Sequence, residues 1–174
     1  MNKVEEVILV DEKDQVIGYM EKIQAHREAL LHRAFSIFIF NSKKELLLQQ
    51  RAEHKYHSGN LWTNTCCSHP RKEETILQAA NRRLEEEMGM FCSLEKVYSF
   101  IYKSPYENGL TEHELDHVLI GYSDNLPKIN LEEVKDYTYK DLQTVAKEIE
   151  ETPNLYTSWF KITFSTLQKY LLES

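Results

Sequence analysis

The chain reads as an α/β (α+β) protein, a mixed β-sheet sandwiched between helices in one compact domain over residues 1–174. Three observations predict it. Short apolar runs separated by turn residues crowd the first third of the chain, and strand-like and helix-like segments interleave after it. No repeat, low-complexity tract or linker divides the sequence, and its length is enough to bury a full core without disulfides.

Each element follows from its local pattern. Residues 7–10, a turn over 11–14 and residues 16–19 read as strand, turn and strand. Residues 23–31 are weakly helical. Phe35-Ser36-Ile37-Phe38-Ile39-Phe40, a turn over 41–44 and Leu46-Leu47-Leu48-Gln49-Gln50 predict a second, well-buried hairpin. From Glu74 to Met88, apolar Leu77, Ala80, Leu84 and Met88 fall at i, i+3, i+7 and i+11, an amphipathic helix closed by Gly89. Residues 96–102, 112–122 and 134–139 read as strands. A short helix over 142–149 and a longer one over 158–172 follow, the latter with Trp159, Ile162, Phe164 and Leu167 as its apolar positions.

Bulk properties exclude several function classes. A net charge of −7 argues against broad binding to nucleic acid or anionic membranes, and leaves an anionic substrate to local basic groups or metal ions. Three cysteines, two of them adjacent, make no disulfide framework and suit a reducing compartment. The N-terminus has no apolar signal core, and the apolar run 34–40 is far too short to span a bilayer. A cytoplasmic protein is expected. With no long exposed apolar stripe left over, so is a monomer.

Chemistry concentrates in a few segments. Asn64-Thr65-Cys66-Cys67-Ser68-His69-Pro70 sets thiols beside an imidazole, ahead of the acidic helix Arg82-Arg83-Leu84-Glu85-Glu86-Glu87-Met88-Gly89. Thiol and imidazole trade protons or bind borderline metals, while carboxylates hold hard ones. Glu112 and Glu114 share one strand face, about 7 Å apart, and can bracket a cation or divide acid and base roles. Taken alone, the pair fits a solvated strand end better. His26, His32 and His69 would complete an N3O2 donor set suited to Mn, Mg, Fe or Zn-type ions. His26 and His32 are six residues apart, so both can ligate only if the chain leaves helix between them. Arg51 and Lys55 follow an apolar strand and suit phosphate oxygens, Arg as a fork and Lys as a point charge. A non-catalytic zinc module of Cys66, Cys67, His69 and His57 is a further reading, but adjacent cysteines fit one tetrahedral ion poorly.

Glu74, Arg82, Glu86, Glu87 and Gly89 resemble the Nudix pattern. It departs in two places: Ser68 stands where the first glycine belongs, and Arg83 replaces the glutamate of Arg-Glu. Both departures count against a hydrolase. His32-Arg33-Ala34-Phe35-Ser36, Leu47-Leu48-Gln49-Gln50-Arg51, the segment from Trp62 to Pro70 and Glu112-His113-Glu114-Leu115-Asp116 closely resemble type 1 isopentenyl-diphosphate isomerases. The resemblance runs from about Val4 to the region of Trp159. It implies a Nudix-type fold with its core over about 30–165. It also implies metal-dependent isomerisation of isopentenyl diphosphate to dimethylallyl diphosphate through a carbocation-like intermediate, in isoprenoid biosynthesis. The alternative is a Nudix pyrophosphohydrolase.

Carried over by motif, Cys67 and Glu114 resemble the catalytic pair, with Tyr102 and Trp159 around the reacting carbons. Trp159 would offer its π face to the developing cation, worth about 2 kcal/mol when desolvated. Lys22, Arg51, Lys55, Ser68 and Arg83 match diphosphate contacts. His26, His32, His69, Glu112 and Glu114 match a cage for one divalent metal, Mn, Mg or Zn. Glu87 and the backbone carbonyl of Cys67 match ligands of a second Mg²⁺ that arrives with the diphosphate. His54, His57 and His117 match no role and are expected at the surface or behind the site. Cys92 is expected to pack as a small hydrophobe.

Overall fold

The computed structural model describes residues 3–174. β1 (Glu6–Val10) and β2 (Val16–Glu21) form the first hairpin, in antiparallel register from Glu6↔Glu21 to Val10↔Val16. α1 (Lys22–Arg27) starts where the Glu21 carboxylate accepts the Ile23 and Gln24 N–H groups. It is shorter than the pattern over 23–31 suggests. Ala29 takes φ 53°, and the chain is already extended at His32. His26 and His32 therefore sit on different elements, as joint ligation requires.

β3 (His32–Phe40) is the centre of the sheet. It runs parallel to β8 (Thr111–Tyr122), from His32↔Glu114 to Phe40↔Tyr122. On its other side it pairs antiparallel with β6 (Cys66–Ser68), Ser36 opposite Cys67. β4 (Glu45–Arg51) meets β3 only at Phe40↔Leu46, so the expected second hairpin splays open at its turn. A wedge explains this: the Thr65 hydroxyl accepts from the Ile39 N–H (2.9 Å) and donates to the Leu47 carbonyl (2.6 Å), standing between the two strands. β4 pairs instead with β5 (Trp62–Thr63) and, along its length, with β9 (Val134–Asp141). β7 (Leu94–Pro105) covers β8 in antiparallel register, with Tyr102 opposite Glu114.

Helices cover both faces, so β3 reads as an almost continuous apolar run rather than an alternating one. Phe35, Ile37 and Ile39 pack towards α2 (Ile76–Met88), together with Leu84 and Met88. Phe38 and Phe40 pack towards α3 (Leu142–Glu151) and α4 (Ser158–Glu173), through Val145, Trp159, Phe160 and Phe164. α2 opens with a Thr75–Gln78 capping box and closes at Gly89, φ 59°, whose N–H reaches the Glu85 carbonyl.

Two apolar stripes lie a little off the expected positions. In α2, Ala79 and Ala80 face the sheet, and Leu77 is 46% exposed. In α4, Phe160 and Thr163 turn inward, and Ile162 is 45% exposed. In each helix the residue beside the predicted one fills the face better, because two alanines let α2 lie close and Phe160 is larger than Ile162. Among the described residues no helix is long and apolar enough to cross a membrane.

Candidate active site

Parallel pairing of β3 with β8 puts His32 directly opposite Glu114. His69, just past β6, brings its Nε2 to 2.9 Å from Glu114 Oε1, with His32 Nε2 at 3.3 Å from the same oxygen. His26 joins from α1, its ring 4.9 Å from His32 and 5.9 Å from His69. The ligand atoms of His26, His32, His69 and Glu114 all lie within 4.8 Å of one another. This group can bind a metal ion, and its donors fit one. His26 Nδ1–H donates to the Lys22 carbonyl (2.6 Å) and His32 Nδ1–H to the Leu30 carbonyl (2.8 Å), which turns each Nε2 inward. Both Nε2 atoms are buried without a hydrogen-bond partner. Burial, with His69 and His32 beside it, pushes His26 down to about 4, keeping it neutral and available as a ligand.

Glu112 takes a different place from the one expected. Its ligand atom groups with His26 and His57, in a second cluster that shares His26 with the first. Three side chains hold it there. His57 Nε2 lies 2.7 Å from Oε1, while the Tyr102 and Tyr106 hydroxyls donate to Oε2 at 2.7 and 3.1 Å. Tyr102 also reaches Glu114 Oε2 at 2.6 Å, but a phenol has one proton, so it serves one carboxylate at a time.

Strand alternation separates the two adjacent cysteines. Cys66 points to the α2 side, packs in that core and donates to Glu87 Oε2 at 3.2 Å. Cys67 points to the α4 side, donates to Asn64 Oδ1 (3.0 Å) and accepts from the Trp159 indole N–H (3.1 Å). No single ion can bind both thiols, which disposes of the zinc module. Cys67, Tyr102, Glu112, Glu114, Asp116 and Trp159 line one small chamber of about 40 Å³. Burial, with Asp116 nearby, pushes the Cys67 thiol up to about 12. Asp116 itself is raised well above the usual range by burial and by the Glu114 charge. Burial opposes ionisation of Glu114, but His32 and His69 outweigh it and hold Glu114 well below its usual range.

A second hollow of about 120 Å³ adjoins the chamber through Arg51, Tyr56, Cys67, Ser68 and His69. Lys22, Arg51, Lys55, Ser68 and Arg83 all line it, along with Glu87. Most of these cations hold a carboxylate. Lys22 pairs with Glu5 (2.5 Å), Lys55 with Glu133, and Arg83 with Glu86 (2.7 Å) and Glu87. Arg51 pairs with no carboxylate among the described residues. Its guanidinium sits over the Trp159 ring, 5.1 Å from the centroid, and its Nε is buried without a partner. In α2, Arg82 holds Glu74 through two contacts of 2.8 and 2.9 Å, tying the preceding loop to the helix.

A NUDIX-domain family model matches residues 30–160. Isopentenyl-diphosphate Delta-isomerase of Pectobacterium atrosepticum is 51% identical over 165 residues, covering 95% of this chain and 92% of its own. Isopentenyl-diphosphate Delta-isomerase 2 of Photorhabdus laumondii is 52% identical, covering 89% of this chain and 88% of its own. The chain belongs to the isopentenyl-diphosphate Delta-isomerase family, on a NUDIX domain. Solved NUDIX-like structures add the fold alone. DR0079 of Deinococcus radiodurans superposes with a TM-score of 0.78 at 21% identity over 93% of this chain and 98% of its own. A MutT protein of Methanosarcina mazei does so with 0.64 at 18% identity over 80% and 94%.

The three histidines that match no family role take these places. His54 is exposed, but His57 and His117 are buried, His57 against Glu112 and His117 3.0 Å from Asp14. Cys92 is half-buried against the α2 core. Sequence reasoning missed Asp116, Ser36 and Tyr106 in or beside the chamber. Asp116 carried a signal, lying two residues beyond Glu114 on the same strand face; Ser36 donates to it at 2.7 Å. Tyr106 and His57 carried none, because only the fold brings the loop after Arg51 against the β7–β8 turn.

Proposed function

We infer that this protein interconverts isopentenyl diphosphate and dimethylallyl diphosphate; its relatives are named isopentenyl-diphosphate Delta-isomerases. The single observation that carries the reading is a small buried chamber holding a thiol and a carboxylate, Cys67 and Glu114, next to a hollow lined by cations. The isomerisation adds one proton to the terminal alkene carbon and removes one from the carbon beside the resulting tertiary centre. No electrons are exchanged. It needs a proton donor and a proton acceptor at one hydrocarbon, and water kept away from the cation.

Cys67, uncharged at neutral pH, and Glu114, ionised there, supply a donor and an acceptor in one chamber. Tyr102, bonded to Glu114 and Glu112, relays a proton between carboxylates. Trp159 closes the chamber and donates to the Cys67 sulfur. Lys22, Arg51, Lys55, Ser68 and Arg83 bind the diphosphate, the unpaired Arg51 first, and Lys22, Lys55 and Arg83 as their carboxylate partners give way. His26, His32, His69 and Glu114 would hold one divalent ion, Mn, Mg or Zn, with Glu112 drawn in from its present contacts. Bound there, the ion supplies positive charge beside Glu114. Glu87 and the Cys67 carbonyl would hold a magnesium ion accompanying the diphosphate. Residues 1–174 act as one domain and, with three free cysteines, suit a reducing cytoplasm as a monomer.

The test is incubation of the pure protein with isopentenyl diphosphate, Mg²⁺ and Mn²⁺, following dimethylallyl diphosphate and phosphate together. Isomer without phosphate is expected. Phosphate without isomer would make the protein a hydrolase and overturn the reading.

A further inference from the structure

We propose that Lys3, Arg71 and Lys72 form an outer vestibule that gathers the anionic end of the substrate and passes it inward across Arg83. It rests on the reading that the hollow beside the chamber takes the diphosphate.

That hollow draws an anion poorly from a distance. Its lining sets the cations Lys22, Arg51, Lys55 and Arg83 against the carboxylates of Glu5, Glu87 and Glu133. All of these cations but Arg51 hold a carboxylate at close range, so their fields largely cancel further out. The net charge of −7 repels a diphosphate as well. An adjoining hollow of about 380 Å³ has the opposite balance. Lys3, Arg71, Lys72, Arg82 and Arg83 line it, against Glu5 and Glu6. Arg82 is spent on Glu74 and Glu86. Lys3, Arg71 and Lys72 make no ion pair among the described residues, and all three are exposed.

The loop between β6 and α2 holds two of these charges in place. The Arg71 N–H donates to Glu74 Oε1 (2.8 Å) and the Glu74 N–H to the Arg71 carbonyl (3.0 Å), closing the loop on itself. Arg82 clamps the same Glu74 from α2. Lys72 lies over the Tyr19 ring of β2, its Nζ 4.9 Å from the centroid. The backbone beneath Arg71 and Lys72 is therefore already ordered when an anion arrives.

The two hollows meet at Glu5, His69 and Arg83. Arg83 belongs to both. Its terminal nitrogens hold Glu86 and Glu87, while its Nε is buried without a partner. A diphosphate coming from Arg71 and Lys72 meets Arg83 first and the unpaired Arg51 beyond it. Exposed cations hold an anion weakly and release it readily, which suits capture and transfer.

The experiment compares wild-type protein with the Arg71→Gln/Lys72→Gln variant in turnover of isopentenyl diphosphate with Mg²⁺ and Mn²⁺. Ionic strengths of about 0.01 and 1 M are used, where the screening length is about 30 and 3 Å. Lys147→Gln/Lys169→Gln, which removes the same charge from exposed positions on α3 and α4, is the control. At low salt the vestibule variant should lose about tenfold in kcat/KM, the low end of electrostatic steering, with kcat unchanged. The control should stay near wild type, and the gap should close at high salt. An equal loss in the control, no loss in the vestibule variant, a gap that persists at high salt or a fall in kcat overturns the vestibule. If wild-type protein does not turn over, the isomerase reading fails, and calorimetric titration of inorganic pyrophosphate into the same three proteins decides. Weaker binding by the vestibule variant at low salt alone supports the vestibule; equal binding, or none by wild type, overturns it.

Discussion

Cys67 is the residue on whose state the proposed chemistry turns. Its thiol is enclosed among Asn64, Trp159 and the carboxylates of β8, and burial holds its pKa up at about 12. A raised thiol pKa means the neutral form dominates at pH 7, and the nucleophilic thiolate grows roughly tenfold per pH unit until that pKa is reached. Alkylation of metal-free protein by iodoacetamide, read on the Cys67 peptide by mass spectrometry, should therefore still be rising at pH 10. A plateau near pH 8 or 9 would contradict the enclosed, uncharged thiol. At this scale the sequence was most legible, because Cys67, His69 and Glu114 announce themselves by chemical type. It was silent on His57, whose role depends on Tyr106 and Glu112, about fifty residues away in the chain.

Helix α2 carries the clearest structural dependence among the elements. Its C-terminal turn holds Glu87 and Met88, whose carbonyls accept the N–H groups of Asn130 and Lys128. Gly89 makes that turn with φ 59°, and a Cβ there would come within 2.5 Å of the Lys128 carbonyl oxygen. Gly89→Ala should cost about 1–3 kcal/mol, the range for a strained left-handed residue, read as a lower urea midpoint at unchanged slope. An unchanged midpoint would show that the approach of the 128–130 segment is not fixed by this turn. Element type was readable from periodicity throughout, but partnership was not. The apolar runs of β3 and β4 look like a hairpin, and nothing local tells that Thr65 wedges them apart. A single hydroxyl from a distant segment redirected β4 to β9.

At the scale of the molecule, the chamber exists only because separate elements meet. β6 brings Cys67, β8 brings Glu114 and Asp116, β7 brings Tyr102, and α4 brings Trp159. The parallel β3–β8 pairing is the fixed frame, since it places His32 against Glu114 and sends the acidic residues of β8 to the α4 face. That pairing joins residues some eighty positions apart, which is why the composition of the site could be read from sequence and its geometry could not. Glu112, grouped with His26 and His57 while Glu114 groups with His26, His32 and His69, is the plainest example.

We propose that Cys67 and Glu114 pass protons to and from one hydrocarbon. The most direct test is turnover of isopentenyl diphosphate in D₂O by wild-type and Cys67→Ala protein, followed by NMR and accompanied by metal analysis. Wild-type protein should place one deuterium in a methyl group of dimethylallyl diphosphate. Cys67→Ala should slow that incorporation by about 10²–10⁴-fold at unchanged metal content, because the thiol belongs to neither metal cluster. Deuterium incorporation by Cys67→Ala at the wild-type rate would contradict the account.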